Sequence, residues 1–521
     1  MIHSTALNKE RRTRELDELA SGRPLDVLVL GGGVVGAGIA LDAASRGLSV
    51  ALAERNDLGG ETSHTSSKLI HGGLRYLATG DISLAWESAR ERHLLMTRIA
   101  PHLIRPIPLL VPFSTQTTLR RKVSTRLGLS MGNWLRIAAG TDGSLLPAPR
   151  SVMPAEMAEW FPALNLRNTT SGCLFWDGQV EDDSRLVVAL ARTAAGFGAR
   201  VITRCEATSV DPHHVTLEDR LSQMRIEVRP RFVINATGVL APAMDPGVSA
   251  TYSRGVHLLV EAHPLELPRG GLTIPVPGEY NRFIFALPWM EDKALIGVTD
   301  DPCRAGAASV PAATAEEIEN LFSVLNPWLK QPLEPAAVIG SFAGVRTLVD
   351  DNGTSRRGTR TTGRLSRHPM FHFDRDRRML TVAGGKLTTY RHMAELAMDQ
   401  IMAQDHRQQP SATRAIALVG AAPRHVLPEL HVPPQLARKY GTEAPAVLRS
   451  CPTDTMAEER VAGDIPLMRC EIAFAFSHEG ALMAEDIVDR RSSVGRIDRW
   501  RNEALAGVTE QLQIPVLASQ S

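Results

Sequence analysis

The stretch LDVLVLGGGVVG, residues 25–36, decides the fold of this chain. Residues 25–30 are mostly apolar and predict a buried strand, after which consecutive glycines turn the chain. Small and apolar residues at 34–46 predict a helix, and residues 48–54 predict a second strand. This order predicts a strand–helix–strand unit, the usual opening of a doubly wound α/β domain.

The glycines of this turn have the spacing of a dinucleotide-binding motif. Gly31, Gly33 and Gly36 form the pattern G-x-G-x-x-G, and Glu54 follows about 20 residues later at the end of the second strand. In such a motif the first glycine permits the tight turn, the second lets a pyrophosphate approach the backbone, and the third lets helix and strand pack closely. Glu54 can accept hydrogen bonds from ribose hydroxyls and would repel a 2′-phosphate, so the pattern disfavours NADP.

Length and composition limit the classes of protein to which the chain can belong. At 521 residues it is too long for one hydrophobic core and should form about two to four domains. Its 43% hydrophobic and 22% charged residues are ordinary for a globular protein. The formal net charge of +1 gives no overall attraction to nucleic acid, and we expect no nucleic-acid partner.

Cysteines, histidines and apolar runs bear on metal binding and location. The five cysteines lie far apart without a C-x-x-C pair, which favours a reducing compartment. His368 and His372 have a metal-like spacing, but Pro369 argues against a helix there, so we expect no metal. Residues 1–24 lack the apolar core of a secretory signal, and no apolar run approaches the ~18–20 residues of a spanning helix. We expect a cytoplasmic protein, or one bound peripherally on the inner face of the cell membrane.

Two glycine turns far downstream favour FAD over NAD. FVINATG, residues 232–238, predicts a buried strand followed by a turn of small residues, which lets the backbone pass close to a cofactor. TVAGGKLTTY, residues 381–390, again places glycines between a strand and a helix start, where the positive end of the helix dipole would face a bound group such as a reduced flavin ring. The second turn is not a Walker loop, because Leu380 and Leu387 stand where that loop needs Gly and Ser or Thr.

Apolar spacing predicts most of the remaining elements. A helix is expected at 82–99, and the basic, apolar-rich residues 114–137 predict an amphipathic helix or hairpin, more often a solvated face than a lipid-contacting one. Residues 388–402 predict another helix, and the chain beyond the linker at 408–410 has mostly helical patterns. Short strands are expected at 200–203, 232–235, 257–261, 283–287 and 294–299, the last three in a substrate-side sheet.

Three stretches of the chain resemble the FAD-dependent glycerol-3-phosphate dehydrogenases. They are DVLVLGGG at 26–33, SSKLIHGGLRY at 66–76 and GGKLTTYR at 384–391, and the second string is highly specific. The resemblance runs from about residue 25 to 400. It continues more weakly in LARKYG at 436–441 and AEDIVDRR at 484–491, which are similar to the family's C-terminal domain.

The resemblance implies an α/β fold of three parts. A Rossmann-like FAD-binding domain would be assembled from residues 25–110, 171–250 and 336–405. A substrate-binding domain with an antiparallel sheet, residues 111–170 and 251–335, would be inserted into it, and residues 411–521 would form a helical C-terminal domain. The oligomeric state stays open, a homodimer included.

By motif, the resemblance places the substrate site on Arg75, Tyr76, His257, Arg346, Arg367 and Lys386. A small phosphorylated polyol needs fixed guanidinium groups for its phosphate and a base for its C2 hydroxyl, so these residue types suit such a substrate. His257, Arg346 and Lys386 are the predicted catalytic residues, with His257 the preferred base. Arg364 lies three residues from Arg367, and which of the two contacts substrate stays open.

The predicted FAD site extends over several segments. Its residues are Gly31, Gly33, Gly36, Glu54, Thr62, Ser63, Ser67, Lys68, Leu69, His71, Gly72, Gly73, Ala236, Thr237, Gly238, Gly384, Gly385, Lys386, Leu387 and Thr388. The sequence departs from the family pattern at Val35 and across residues 59–65. His64 in that segment is expected to be packed or solvated rather than to bind flavin covalently.

The resemblance implies oxidation of sn-glycerol 3-phosphate to dihydroxyacetone phosphate, with hydride transfer from C2 of the substrate to N5 of the flavin. A membrane quinone is the expected electron acceptor. A dehydrogenase of another polyol phosphate, such as erythritol phosphate, and an oxidase that uses oxygen remain alternatives. The intact set of Arg, His and Lys residues argues against a flavin-binding protein without turnover.

Overall fold

The computed structural model describes residues 3–77, 80–267, 269–279, 282–303, 312–349, 368–451 and 456–513. Its α-helices are α1 Lys9–Ala20, α2 Val34–Ser45, α3 Leu74–Leu77, α4 Ile82–Leu94, α5 Leu119–Ala138, α6 Pro154–Trp160, α7 Asp183–Gly196, α8 Ala241–Met244, α9 Ala315–Leu325, α10 Tyr390–Gln404, α11 Pro434–Tyr440, α12 Ala444–Arg449, α13 Arg469–His478, α14 Ala484–Asp486 and α15 Asp498–Gln513.

The strands lie between these helices. They are β1 Leu25–Leu30, β2 Val50–Ala53, β3 Leu69–Ile70, β4 Ile104–Ser114, β5 Arg150–Val152, β6 Thr169–Val180, β7 Arg200–Ile202, β8 Cys205–Val210, β9 Val215–Asp219, β10 Arg225–Val228, β11 Pro230–Asn235, β12 Ala250–Glu261, β13 Gly271–Pro275, β14 Phe283–Trp289, β15 Lys293–Gly297, β16 Asp301–Cys303, β17 Val338–Val349, β18 Met370–Asp374 and β19 Met379–Ala383. The short 3₁₀ turns Thr62–His64, Leu387–Thr389 and Val494–Arg496 and the π-helical turn Ile487–Arg491 bear on the site.

Polar side chains begin several of the helices. Asn8, Asp81, Thr118 and Asp182 each accept a hydrogen bond from a backbone N–H in the first turn of α1, α4, α5 and α7. These residue types are the preferred helix caps because their side-chain oxygens satisfy N–H groups that lack a partner within the helix. Gly33 precedes α2 and has no side chain to cap the helix, and the N–H of Val34 donates instead to Ser63 Oγ, a residue outside the helix.

A six-stranded sheet forms the dinucleotide-binding part of the molecule. Its order is β18-β19-β11-β1-β2-β7, with β1 parallel to both β2 and β11 and only β18 antiparallel at the edge. α2 packs against α7 and α10, and its small residues are almost wholly buried. A parallel sheet with buried, apolar central strands and helices packed on it is the α/β architecture that residues 25–54 predict, so the fold class is confirmed.

A ten-stranded, mostly antiparallel sheet forms the second layer. Its order is β16-β12-β15-β14-β13-β4-β6-β3, with β17 paired to β12 and β5 paired to β6. The long pairs β4–β6 and β12–β17 hold it together. Because β4 and β6 belong to this sheet, it crosses the predicted domain boundaries at residues 110 and 170. The division into an FAD-binding and a substrate-binding domain therefore stays a proposal.

The structure decides between helix and hairpin for residues 114–137 and shows a helix at 82–99, as predicted. Within residues 114–137, Ser114 ends β4 and the chain from Leu119 onward forms the single helix α5 rather than a hairpin. The helix predicted at 82–99 continues from α4 into a π-helical turn, Leu95–Ile99, and stops before Pro101. Over the described residues, no helix combines the length and the apolar character needed to cross a membrane.

The C-terminal domain is helical, as expected, and buried ion pairs join it to the rest of the molecule. Arg185 on α7 forms a bidentate pair with Glu479, with N–O distances of 2.8 and 2.6 Å. Arg491 forms another with Asp57, at 2.7 and 2.9 Å. Removing one member of a buried pair costs about 3–5 kcal/mol because the other charge is left without compensation. These pairs therefore fix the position of the C-terminal domain against the sheet that carries the glycine turn.

Candidate active site

One cavity of about 700 Å³ collects most of the predicted site residues. Its walls come from both large sheets, from the turn after β1 and from α5. The predicted residues that line it are Gly31, Gly33, Glu54, Thr62, Ser63, Ser67, Leu69, His71, Tyr76, Ala236, Thr237, Gly238, Arg346, Gly384, Gly385, Lys386, Leu387 and Thr388. Tertiary folding thus joins three glycine-containing turns that are far apart in the sequence.

The glycine turn after β1 leaves no room for side chains. Gly31 has φ +104°, and a Cβ atom there would lie 2.6 Å from the carbonyl oxygen of Ala236. A Cβ on Gly36 would collide with the carbonyl oxygen of Gly31. Gly36 does not line the cavity, so its part is to let α2 approach β1.

Glu54 closes one side of this turn. Its Oε2 accepts a hydrogen bond from the N–H of Gly32 at 2.6 Å, and its Oε1 accepts one from the N–H of Asn56 at 2.7 Å. Burial raises the pKa of this carboxyl, while both hydrogen bonds oppose the rise. The side chain lies on the cavity wall at the end of β2, where the motif places a ribose ligand.

Residues 57–67 form a segment that we name the cofactor loop. Ser63 Oγ accepts a hydrogen bond from the N–H of Val34 at 3.0 Å, which ties the loop to the start of α2. Thr62 Oγ1 donates to the carbonyl oxygen of Val345 at 2.6 Å, which ties it to β17. The loop therefore bridges the two sheets beside the cavity. His64 is buried and does not line the cavity.

Three predicted cofactor residues lie behind the cavity wall. The Lys68 ammonium is buried, 2.6 Å from Asp183 Oδ1. The N–H of Gly72 donates to Asp177, and a Cβ atom at Gly73 would lie 2.8 Å from the backbone of Ala85. None of the three lines the cavity, so direct FAD contact by these residues stays a prediction.

The two downstream turns present backbone to the same cavity. Ala236, Thr237 and Gly238 follow β11, and the N–H of Ala236 donates to the carbonyl oxygen of Leu30 at 2.9 Å. Gly384 and Gly385 follow β19 with φ of +77° and +86°, which favours glycine. Leu387 and Thr388 then begin the 3₁₀ turn that leads into α10, so a helix start faces the cavity as expected.

Lys386 and Tyr76 form a cation–π contact on the wall of the cavity. The Lys386 Nζ lies 4.0 Å from the centroid of the Tyr76 ring and donates to Ser88 Oγ at 3.2 Å. A cation over an aromatic face is attracted by the ring quadrupole. The pair brings together residues from the second and third strings that carry the family resemblance.

Arg346 enters the cavity from β17, opposite Ser253 on β12. Its Nη1 donates to the carbonyl oxygen of Thr299 at 3.3 Å and lies 3.5 Å from Asp300 Oδ1. A Cβ on Gly255 would collide with the guanidinium, so this glycine leaves space for it. The arginine is thus held at a defined position on the wall.

His257 lies one step behind the wall. It is buried, and its Nε2 is 3.0 Å from Ser67 Oγ, which does line the cavity. Its ring stacks on Phe342 with centroids 4.8 Å apart. Burial, together with the cations Arg346 and Lys68, holds the pKa of His257 well below its usual 6.5, so the imidazole is neutral at neutral pH.

The remaining predicted arginines cannot be placed. Arg364 and Arg367 lie outside the described residues, and so does the side chain of Arg75. The choice between Arg364 and Arg367 as a substrate contact is therefore still a prediction.

Sequence reasoning missed several residues of the cavity. They include Asp300, Arg121, Arg282, Leu129, Phe175 and Phe285. Asp300 follows the predicted strand at 294–299, so a polar residue just beyond a strand end was the available signal. The others come from α5 and the ten-stranded sheet, and no short motif marks them.

No group of metal ligands is found among the residues that the structure describes. His368 and His372 contact different carboxylates: His368 lies 2.7 Å from Asp81, and His372 lies 2.8 Å from Asp245. Their spacing in sequence therefore does not produce a shared site.

The residues present fit FAD on the evidence of the backbone itself. Gly31 and Gly33 present backbone to the cavity, and a Cβ atom on Gly31, Gly33 or Gly36 would come within 3.0 Å of another protein atom, so this glycine cradle admits no side chain. Gly33, Glu54 and Ser63 would hold the dinucleotide, and Gly384 to Thr388 would hold the flavin end.

Comparison with known proteins gives the class first. The family described as "FAD dependent oxidoreductase" matches residues 26–391, and the "C-terminal domain of alpha-glycerophosphate oxidase" matches residues 411–515. Together with the sheet and the glycine cradle, these matches define an FAD-dependent oxidoreductase, and the prediction of FAD as cofactor is confirmed.

Individual relatives give the family. The chain is 41% identical to glycerol-3-phosphate dehydrogenase 1 of Mycobacterium tuberculosis over 98% of its length and 99% of the relative's. It is 33% identical to glycerol-3-phosphate dehydrogenase of Pseudomonas aeruginosa over 90% and 92%. The solved glycerol-3-phosphate dehydrogenase of Bacillus halodurans, complexed with FAD, has the same fold, with a TM-score of 0.73, 24% identity and coverage of 98% and 94%. The chain belongs to the FAD-dependent glycerol-3-phosphate dehydrogenase family.

Proposed function

We propose that this protein oxidises sn-glycerol 3-phosphate to dihydroxyacetone phosphate and passes the electrons to a quinone. The observation that carries the proposal is the convergence of Arg346, Lys386 and Tyr76 on the cavity that also holds the FAD-binding glycines. The names of the relatives support the same substrate.

Arg346 would hold negative charge on the substrate. Thr299 and Asp300 fix its position, so its charge is pre-aligned before substrate enters. Arg75 and Arg367 would complete the phosphate site, as the resemblance implies, and Lys386 with Tyr76 would orient the polyol. Guanidinium forks suit phosphate oxygens because they donate two parallel hydrogen bonds.

The C2 hydroxyl proton would leave through Ser67 to His257. Ser67 Oγ would accept that proton while its own proton passes to His257 Nε2, 3.0 Å away. The lowered pKa of His257 keeps the ring neutral and able to accept. FAD, when bound, supplies the acceptor for the hydride that leaves C2.

Anaerobic reduction of the bound flavin tests the substrate. The purified holoenzyme is mixed with glycerol 3-phosphate, erythritol phosphate and glycerol, and bleaching of the flavin absorbance is followed. Of the three compounds, we expect only glycerol 3-phosphate to bleach the flavin rapidly. Faster bleaching with erythritol phosphate would show that the substrate is another polyol phosphate. Bleaching with glycerol would show that the enzyme does not require a phosphate group, and would contradict the proposed phosphate site.

The outer face of α5 supports the membrane half of the proposal. Leu119, Leu127 and Trp134 are 76%, 60% and 71% exposed, and their spacing along a helix places them in one stripe with Val123 and Met131. The inner face of the same helix lines the cavity at Leu129. A helix with an exposed apolar stripe can lie in the membrane interface, which would bring a lipophilic quinone beside the flavin site.

The charge beside this stripe is smaller than the sequence indicates. Of the basic residues in α5, Arg120 and Arg126 are exposed, whereas Arg136 is buried and donates to the carbonyl oxygen of Thr141. Each exposed base near an anionic surface contributes about 1 kcal/mol. Binding to the membrane would therefore depend mainly on apolar contact and only partly on charge, so added salt should weaken it only in part.

Sedimentation with liposomes and an acceptor assay test this half. We expect binding to both anionic and neutral vesicles at low salt, and faster turnover with a short-chain quinone than with oxygen. The match to the C-terminal domain of alpha-glycerophosphate oxidase favours an oxidase as the second candidate. Hydrogen peroxide formed in equal amount to the product, by protein that stays in the supernatant, would establish that candidate instead.

A further inference from the structure

One segment of the C-terminal domain holds the cofactor loop from outside. The segment is residues 486–497, and its Arg491 forms the bidentate pair with Asp57 at the start of the loop. The Nη2 of Arg490 approaches the carbonyl oxygen of Gly60 to 3.5 Å. The Nη2 of Arg496 donates to the carbonyl oxygen of His64 at 3.1 Å. Three arginines of this segment thus contact the loop, at Asp57, at Gly60 and at His64.

Arg496 also reaches the group behind the substrate wall. Its guanidinium lies 4.8 Å from the centroid of the Phe342 ring, and Phe342 stacks on His257. The backbone of Arg496 packs against Gly340 of β17, where a Cβ atom would collide with the Arg496 carbonyl oxygen. The C-terminal segment therefore contacts the cofactor loop and the strand that carries Arg346.

Among the described residues no carboxylate lies within ion-pair distance of Arg496, although Asp183, Asp489 and Asp182 attract its charge from farther away. The ion pairs among the described residues do not include it, although Arg490 and Arg491 beside it contact the loop or its acid. Desolvation and the neighbouring Arg490 lower the pKa of Arg496 to about 10, so it stays protonated at neutral pH. Its contacts are a backbone carbonyl and an aromatic face, both of which attract a cation.

We propose that Arg496 is a positioning residue by which the C-terminal domain fixes the cofactor loop, and so sets both the retention of FAD and the placement of Ser67 beside His257. The loop is also attached from inside: Ser63 Oγ accepts from the N–H of Val34, Thr62 Oγ1 donates to the carbonyl oxygen of Val345, and the N–H and Oγ of Ser66 donate to Asp183. Arg496 acts at the carbonyl oxygen of His64, which also accepts from Lys68 Nζ at 3.2 Å, three residues before Ser67. The part of the proposal that concerns retention of FAD requires only the cofactor of the family. The part that concerns the placement of Ser67 rests on the proposed function.

Substitution of Arg496 in the full-length holoenzyme tests the proposal. The variants are Arg496→Met, which removes the charge and the donor, and Arg496→Lys, which keeps both. The control is Arg499→Met, since Arg499 is an exposed arginine of the same domain that pairs with Asp464. The dissociation constant of FAD is measured from the fluorescence of released flavin. kcat and KM are measured with the substrate that reduces the wild-type flavin fastest.

Arg496→Met should weaken FAD binding about 10-fold and lower kcat at saturating FAD about 10-fold with little change in KM. Arg496→Lys should recover most of both losses, and Arg499→Met should equal the wild type.

Unchanged FAD affinity in a folded Arg496→Met protein overturns the proposal, as does an equal loss in the lysine variant. If the methionine variant does not fold, Arg496→Gln, which keeps a donor without the charge, is judged by the same outcomes. If no panel compound reduces the wild-type flavin, the proposed function fails while the FAD measurement still decides this inference.

Discussion

The two ends of the cavity are built in different ways. The cofactor end depends on backbone: Gly31 and Gly36 are small because a carbonyl oxygen occupies the place of a Cβ atom. The substrate end depends on side chains from distant strands, with Arg346 on β17 and His257 on β12. The first end should therefore be most sensitive to added atoms, and the second to removed charge or hydrogen bonds.

The largest effect is expected from adding a methyl group at the cofactor end. In Gly36→Ala the new Cβ would collide with the Gly31 carbonyl oxygen, so α2 and the turn must separate. Overpacking of this kind costs about 1–3 kcal/mol and here falls on the FAD cradle. We expect FAD affinity to fall about 100-fold, measured by flavin content and by titration of the apoprotein. Gly143→Ala, where a Cβ meets nothing within 4 Å, is the control and should retain full FAD. Normal flavin content in Gly36→Ala would contradict the expectation that the cofactor end is sensitive to added atoms.

The next effect concerns the proton path at the substrate end. His257→Gln should lower kcat about 100-fold with FAD content unchanged, since a general base contributes about 10²–10⁴-fold. A kcat within threefold of the wild type would remove His257 from the mechanism.

The pH dependence of the wild type sharpens the same assignment. Because the pKa of His257 is lowered, the neutral ring persists as the pH falls below 6.5. The kcat, which reports the enzyme–substrate complex and not the ionisation of free substrate phosphate, should therefore stay level through that point and decline only at more acidic pH. A decline centred near 6.5 would indicate an ordinary, solvated base instead.

A smaller effect is expected when charge is removed from the substrate end. Arg346→Ala should lower kcat/KM about 10- to 150-fold, because a charge-assisted hydrogen bond contributes about 1.5–3 kcal/mol. FAD content should be normal, in contrast to Gly36→Ala. Arg225→Ala, at an exposed arginine paired with Glu218, is the control. Wild-type turnover in Arg346→Ala would place this arginine outside the substrate site.

The smallest effect should leave both ends of the cavity intact. Trp134→Ser removes the largest side chain of the exposed α5 stripe and should weaken liposome binding about 5-fold. Flavin content and activity with a soluble acceptor should not change. Phe197→Ser, another exposed aromatic position, is the control. Equal losses of binding in both variants would show that α5 is not the docking surface.

The sequence by itself determined the parts of the molecule that follow from local backbone constraints. The turn after β1 was predictable because its glycines, its flanking strands and Glu54 lie within about 30 residues and together form one dinucleotide-binding motif. The helices and the later glycine turns followed from periodicity and from residues that tolerate positive φ. Family resemblance, rather than pattern, pointed to Arg346, Lys386 and Tyr76.

Only the tertiary structure decided how the side chains are arranged. The pairing of β12 with β17 sets His257 opposite Phe342 and Ser253 opposite Arg346, and this register has no local signature. Folding also placed Ser67 between His257 and the cavity, added Asp300 to the wall, and buried Arg136 of the basic, apolar-rich helix α5. The hold of Arg496 on the cofactor loop joins residues more than 400 positions apart. Such contacts depend on how whole elements pack, and a local pattern of residue types does not encode that packing.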